Sequence, residues 1–195
     1  DISGSMASLD FEPQNRLEAA KAVISEFVQG RPYDPIGLVV FARDAFSQSP
    51  PTTDRNMLLR LLERTELATD VGIDDGTAIG MGLANAGNML KDSDAKSKVI
   101  ILLTDGVNNA GELDPLTAAD AAEALGLRVY TIGMGRPGEV PVPVVDLFGR
   151  EQIVYQESVL DEATLQEIAA RTGGRYYRAE DTSALEQIYD EIDSL

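Results

Sequence analysis

The chain has 195 residues, with 33 Asp plus Glu against 16 Lys plus Arg, a formal charge of −17, and neither His nor Cys. These counts exclude disulfides, thiolate zinc sites, Cys nucleophiles and iron–sulfur clusters, and equally a Ser-His-Asp triad, imidazole ligands and a histidine pH switch. Any metal must be held by oxygen, which selects a hard cation, Mg²⁺ with Mn²⁺ or Ca²⁺ as alternatives, and the acidic excess argues against nucleic acid, whose phosphates would be repelled.

The length and a hydrophobic content of 44% suit one globular domain. No apolar run approaches the roughly 18 residues of a membrane-spanning helix, so no membrane contact is expected within this chain. It opens on Asp1 rather than Met, the expectation being an excerpt or a processed product.

Along the chain, Leu17, Ala20, Ile24, Phe27 and Val28 fall at helical spacing over 13–29, with Arg16, Glu18 and Lys21 read as the charged positions between them. Gly30 and the prolines at 32 and 35 stop that helix. Residues 36–42 form a continuous apolar run, as for a strand covered on both faces. A short edge-like segment near 46–49 follows, ended by Pro50 and Pro51. Asp54 reads as the N-cap of a helix carrying Met57, Leu58, Leu61 and Leu62. An acidic, Gly-containing loop over 67–76 leads to a helix over 77–91.

Residues 98–104 are the second buried strand, 114–125 an Ala-rich helix, and 127–133 a third strand. Val144–Asp146 and Gln152–Tyr155 form a candidate hairpin turning at Phe148-Gly149-Arg150. A helix over 161–172, ended by Gly173-Gly174, precedes a last short strand over 174–179. Ser183 and Glu186 form a capping box that opens the final helix. Apolar strands alternating with amphipathic helices predict an α/β doubly wound domain with a mostly parallel sheet flanked by helices. Ligands of such sheets sit beyond the carboxyl ends of the strands.

Three polar clusters lie at such ends: Asp1-Ile-Ser3-Gly-Ser5, Asp74-Asp75-Gly76-Thr77, and Thr104-Asp105-Gly106. Together they offer two carboxylates (Asp1 and Asp105) and three hydroxyls (Ser3, Ser5 and Thr77), with no nitrogen or sulfur. In Asp-x-Ser-x-Ser, alternate side chains converge inside a tight loop, and Gly4 supplies backbone freedom. A hard divalent cation fits that donor set, and two carboxylates just neutralise it, leaving it electrophilic enough for one external carboxylate.

Asp1-Ile-Ser3-Gly-Ser5-Met6, Asp75-Gly-Thr77 and Leu103-Thr-Asp-Gly106 resemble the metal-ion-dependent adhesion site of von Willebrand factor A (VWA) domains. The wider text is similar to the bacterial aerotolerance-operon (Bat) group, in Arg16-Leu-Glu-Ala-Ala-Lys21, Ile36-Gly-Leu-Val-Val-Phe-Ala42, Asp75-Gly-Thr-Ala-Ile-Gly80, Lys96–Gly106, Val129-Tyr-Thr-Ile-Gly133, Thr172-Gly-Gly174 and 188–193. The resemblance implies a Mg²⁺-dependent, non-catalytic protein-binding module with Asp1, Ser3, Ser5, Thr77 and Asp105 at the metal. A partner Glu or Asp would complete the shell. It also implies anchoring in the bacterial inner membrane by flanking helices, a periplasmic domain, and work with a MoxR-type AAA+ ATPase and other VWA proteins.

In that family a buried central strand runs directly into the first motif Asp, so the expectation is a single VWA domain over 1–195, N-terminally truncated at the motif and lacking its first central strand. Its two neighbours would then leave backbone groups unpaired, each costing about 1–3 kcal/mol. One competing reading is a Mg²⁺-dependent phosphatase of the haloacid-dehalogenase type, but Ser3 stands where that family needs its second Asp. Another is a scaffold with a purely structural metal site.

Asp75 is expected to brace the motif within a solvated acidic loop that includes Asp70 and Asp74. Gly80 is expected to bring its helix close to the metal loops, and Gly87 to pack on the sheet. Gly133-Met-Gly135-Arg-Pro-Gly138 spells a dinucleotide fingerprint, but Pro137, Pro141 and Pro143 preclude the helix it requires. The hairpin is expected to cover a sheet edge.

Overall fold

The computed structural model describes residues 1–145 and 148–194. Asp146, the end of the first predicted hairpin arm, lies outside the described residues. Parallel strands β3 (Val99–Thr104), β4 (Arg128–Met134) and β7 (Tyr176–Ala179) form one sheet in the order β3-β4-β7. Strand β1 (Ile36–Phe41) pairs antiparallel with β2 (Ala45–Thr52), which runs through Pro50 and Pro51 instead of stopping there, with irregular register near Leu38. Prolines are tolerated in β2 because it is an edge strand.

Helices cover both faces of the β3-β4-β7 sheet, as the continuous apolar strands require. On one face Leu103, Tyr130, Ile132 and Met134 pack with α1 (Arg16–Gly30) and α6 (Thr182–Asp193). On the other, Ile100, Leu102 and Val129 pack with α3 (Ile79–Leu90), α4 (Pro115–Ala124) and α5 (Glu162–Arg171). Helix α2 (Arg55–Glu63) buries Leu58 and Leu62. Among the described residues, no helix is long and apolar enough to cross a membrane.

Capping places most helix starts. Asp54 accepts from the Met57 N–H at 2.9 Å, Asp114 from Leu116 and Thr117, and Asp161 from Thr164. The last helix departs from expectation: Asp181, not Ser183, is the cap, accepting from Ala184 N–H at 2.8 Å. An extended Asp two residues upstream reaches the first turn before Ser183 can. Helix α3 begins two residues after Thr77, whose side chain is therefore left out of capping.

Strands β1 and β3 belong to separate sheets. Residues 1–2 stand between their carboxyl ends: Ile2 N–H donates to Phe41 O at 2.8 Å, and the Asp1 nitrogen donates to Leu103 O at 3.1 Å. A cavity of about 610 Å³ is lined by Asp1 and Ile2, by residues of β1 and β3, and by residues of α1, α3 and α6.

The predicted hairpin exists and is longer than its apolar content suggested, with β5 (Gly138–Val145) antiparallel to β6 (Glu151–Ser158). The prolines that ruled out a helix after Gly133 lie in or beside this ribbon. The hairpin does not extend another sheet by strand pairing: its two strands form a sheet of their own.

Gly80 also behaves differently from expectation. A Cβ there would lie 2.1 Å from Leu113 O, so the close approach is to the backbone entering α4 and not to the metal loops. Gly87 meets only Leu127 Cδ1, at 3.4 Å. Gly80→Ala should therefore lose about 1–3 kcal/mol through a clash with backbone that cannot rotate away. Gly87→Ala should be neutral or gain up to about 1 kcal/mol from helix propensity. Urea unfolding midpoints test the pair, and equal effects at both positions would contradict the packing described.

Candidate functional site

The site begins at the carboxyl end of β3, where Thr104 and Asp105 follow the buried Leu102 and Leu103. The amino-terminal segment enters a 3₁₀ turn at Gly4–Ala7 beside it. Asp1 is held at both oxygens: Oδ1 accepts from Ser3 N–H at 2.9 Å, and Oδ2 accepts from Thr104 Oγ1 at 2.6 Å. Ser3 Oγ and Ser5 Oγ lie 3.1 Å apart, and Ser5 Oγ donates to Asp105 Oδ1 at 2.6 Å. The structure thus brings Asp1, Ser3, Ser5 and Asp105 into one hydrogen-bonded cluster.

Thr77 approaches from the loop before α3. It is buried, and its N–H donates to Asn109 Oδ1 at 2.8 Å. Its hydroxyl lies 3.3 Å from where a Cβ on Gly106 would stand, next to Asp105. Asp75 Oδ1 accepts from Gly4 N–H at 2.8 Å and from its neighbour Gly76 N–H at 2.9 Å, which fixes the 3₁₀ turn to the acidic loop. A Cβ at Gly4 would sit 2.7 Å from Asp75 Oδ2. Gly4 is therefore needed for space: its φ is not positive, so the backbone freedom assigned to it from sequence is not what the turn uses. Asp70 and Asp74 stand exposed.

The oxygen cluster suits a hard cation. Bonds of about 2.0–2.1 Å place adjacent octahedral ligands about 3 Å apart, close to the Ser3–Ser5 spacing. Among the described residues, no group of three or more His, Cys, Asp or Glu side chains converges on a metal-sized space. The cluster has only two carboxylates, and its other donors are hydroxyls.

Sequence reading missed the residue that holds Asp105. By periodicity Arg16 is one of the charged positions of its helix, yet it is 1% exposed. Its Nε and one terminal nitrogen grip both oxygens of Asp10, at 2.8 and 2.7 Å. The other terminal nitrogen reaches Asp105 Oδ2 at 2.7 Å, and Ser158 Oγ accepts a further bond at 3.0 Å. Burial alone would lower the Arg16 pKa, but the hydrogen bonds and charges of Asp10 and Asp105 outweigh it and raise the pKa above its ordinary value. Asp10 Oδ2 also accepts from Arg136 N–H at 3.3 Å. One available signal was position: Arg16 opens α1 instead of lying along its solvent face, six residues after an Asp in the motif loop.

The family model for the von Willebrand factor type A domain matches residues 1–191. A protein of Borreliella burgdorferi is 37% identical over 181 residues, covering 93% of this chain and 52% of that protein. The crystal structure of BatB from Bacteroides thetaiotaomicron superposes with a TM-score of 0.83 at 33% identity, covering 100% of this chain and 94% of that one. An aerotolerance-related membrane protein from Bacteroides fragilis gives a TM-score of 0.81 at 32% identity, over 100% of this chain and 96% of that one. The chain spans about half the length of the curated relatives it matches.

Removing the Arg16 cation would leave the Asp10 and Asp105 carboxylates buried together. Arg16→Met should cost about 3–5 kcal/mol of folding stability. Arg16→Lys should recover only part of that, because an ammonium cannot fork between two carboxylates. Denaturant titration reads both, and a loss below about 1 kcal/mol for Arg16→Met would show that the triad does not hold the loops.

Proposed function

The chain belongs to the von Willebrand factor type A family, and from that membership we propose a Mg²⁺-dependent protein-interaction module that takes a carboxylate from its partner. Kinship with BatB and with an aerotolerance-related protein supports an interaction role within a bacterial assembly. The observation that carries the metal-dependent reading is the convergence of Asp1, Ser3, Ser5 and Asp105 without any nitrogen or sulfur donor.

In this reading Asp1, Ser3, Ser5, Thr77 and Asp105 hold the ion, with Mg²⁺ favoured and Mn²⁺ or Ca²⁺ as alternatives. The bound ion supplies an electrophilic coordination position for one further anionic oxygen. The chain's own residues prepare it. Thr104 and the Ser3 N–H fix Asp1, Asp75 fixes the turn carrying the serines, and Arg16 orients Asp105. Hydroxyls add donors without charge, so the cluster does not over-neutralise a divalent ion. A non-catalytic role fits the same inventory: position 3, where the phosphatase reading needs a second carboxylate, is a serine in contact with Ser5.

The partner supplies a Glu or Asp on an exposed segment. We further propose that the domain works with a MoxR-type AAA+ ATPase and other VWA proteins, on the periplasmic side of a bacterial inner membrane. The description of the Bacteroides fragilis relative as a membrane protein favours a membrane setting.

Calorimetric titration with Mg²⁺ should give one saturable site, and Ser3→Ala or Asp105→Ala should weaken it by about tenfold or more. Binding of the carboxylate-bearing partner should disappear in EDTA and return with excess Mg²⁺. Mg²⁺ heats unaffected by both substitutions, or partner binding that survives chelation, would overturn the proposal.

A further inference from the structure

The β5–β6 hairpin carries an apolar face directed at solvent. Of the twelve large hydrophobic residues that stand exposed among the described residues, five lie on it or at its exit: Val145, Phe148, Ile153, Tyr155 and Val159. The ladder pairs Pro141 with Tyr155, Pro143 with Ile153 and Val145 with Glu151, so these side chains share one face. The opposite face buries Val140 and Val142. A ribbon with one solvated face ordinarily keeps that face polar. Here its middle is apolar, with Tyr155 68% and Ile153 60% exposed.

The two edges of the ribbon differ. Pro141 and Pro143 have no N–H, and the Pro141 carbonyl turns away from β6 to accept from Leu9 N–H at 2.8 Å. The outer edge of β5 is thus short of donors and partly covered. In an antiparallel ladder, directly opposed residues turn their main-chain groups the same way relative to the ladder, both inward or both outward. Ile153 and Tyr155, opposite the two prolines, therefore direct N–H and C=O to the outer edge of β6. Among the described residues no other strand pairs with that edge, and Glu151, Ile153, Tyr155 and Glu157 are all exposed.

Charge narrows the occupant. Glu151 and Glu157 bracket Ile153 and Tyr155 on the exposed face, and Glu157 stands directly opposite Glu139. Like charges facing each other across a ladder destabilise it, and a cation from outside would relieve them. A second copy fits poorly. Antiparallel self-pairing centred on Val154 would set Glu151 against Glu157 of the other copy, on a chain already at −17.

We propose that the open edge of β6 is a strand-addition site for an extended segment of a partner protein, apolar at alternate positions and basic at its ends. Main-chain hydrogen bonds to the β6 edge supply affinity, and the Ile153–Tyr155 stripe with its flanking carboxylates supplies selectivity. The site requires no metal, so it stands or falls independently of the reading above.

The test uses the intact chain in EDTA and two synthetic peptides that alternate Val and Thr, one ended by Lys and the other by Glu. The Lys-ended peptide should slow amide hydrogen exchange at Ile153, Tyr155 and Glu157 by about tenfold or more, while the Glu-ended peptide should not. Tyr155→Pro removes an outward N–H without touching the β5 ladder, and should weaken binding by about tenfold. Replacing Glu151 and Glu157 together by Lys should transfer the preference to the Glu-ended peptide. Absent or diffuse protection from the Lys-ended peptide, equal protection by both peptides, or concentration-dependent self-association through β6 would each overturn the proposal.

Discussion

The fork of Arg16 between Asp10 and Asp105 is the constraint around which the rest is arranged. Four of its five N–H groups are engaged, in a place where water does not reach. Buried carboxylates at the end of a sheet repel one another unless a cation stands between them. The guanidinium meets that need from the first turn of α1, which fixes how the helix lies against the strand. Through Asp10 and Ser158 it also ties in the amino-terminal loop and the foot of the hairpin. An acidic chain can therefore gather carboxylates at one end without that end springing apart.

Around this anchor the fold separates framework from chemistry. The parallel sheet is covered by helices on both faces, so its residues are chosen for volume. The loops at its carboxyl end are free to carry hydroxyls and acids. Residues 1–2 link Phe41 of β1 to Leu103 of β3, so the two pieces of sheet meet where Asp1 is placed. The glycines here answer to space as much as to backbone angle: Gly4 admits Asp75, and Gly80 admits the backbone at Leu113.

Much of this could be read from the amino-acid order. The segments 36–42 and 98–104 read as strands and form β1 and β3, though Gly37 is exposed and Ile36, Leu38 and Val39 are only half-buried, and Asp54, with its side chain ready to cap, marks the start of α2. That Asp1, Ser3, Ser5 and Asp105 would lie together could be read because oxygen donors at strand and helix ends are a local pattern. The misses are of another kind. Arg16 looked like a surface charge because its partners lie 6 and 89 residues away, and periodicity says nothing about such distances. Ser183 lost its cap to Asp181 because two acceptable caps competed and geometry chose. The hairpin was read too short because prolines mask a strand whose outer edge needs no donors.

The clustering of Asp1 with Thr104 and of Ser5 with Asp105 joins positions 103 and 100 residues apart. No local hairpin or helix can bring such groups together, and closing so large a loop delays contact until the intervening strands and helices have formed. On a ribosome adding about 5–20 residues per second, Ser5 waits roughly 5–20 s before Asp105 is even synthesised. The cluster thus exists only in a chain whose residues 1–5 and 104–105 have been brought together across that span.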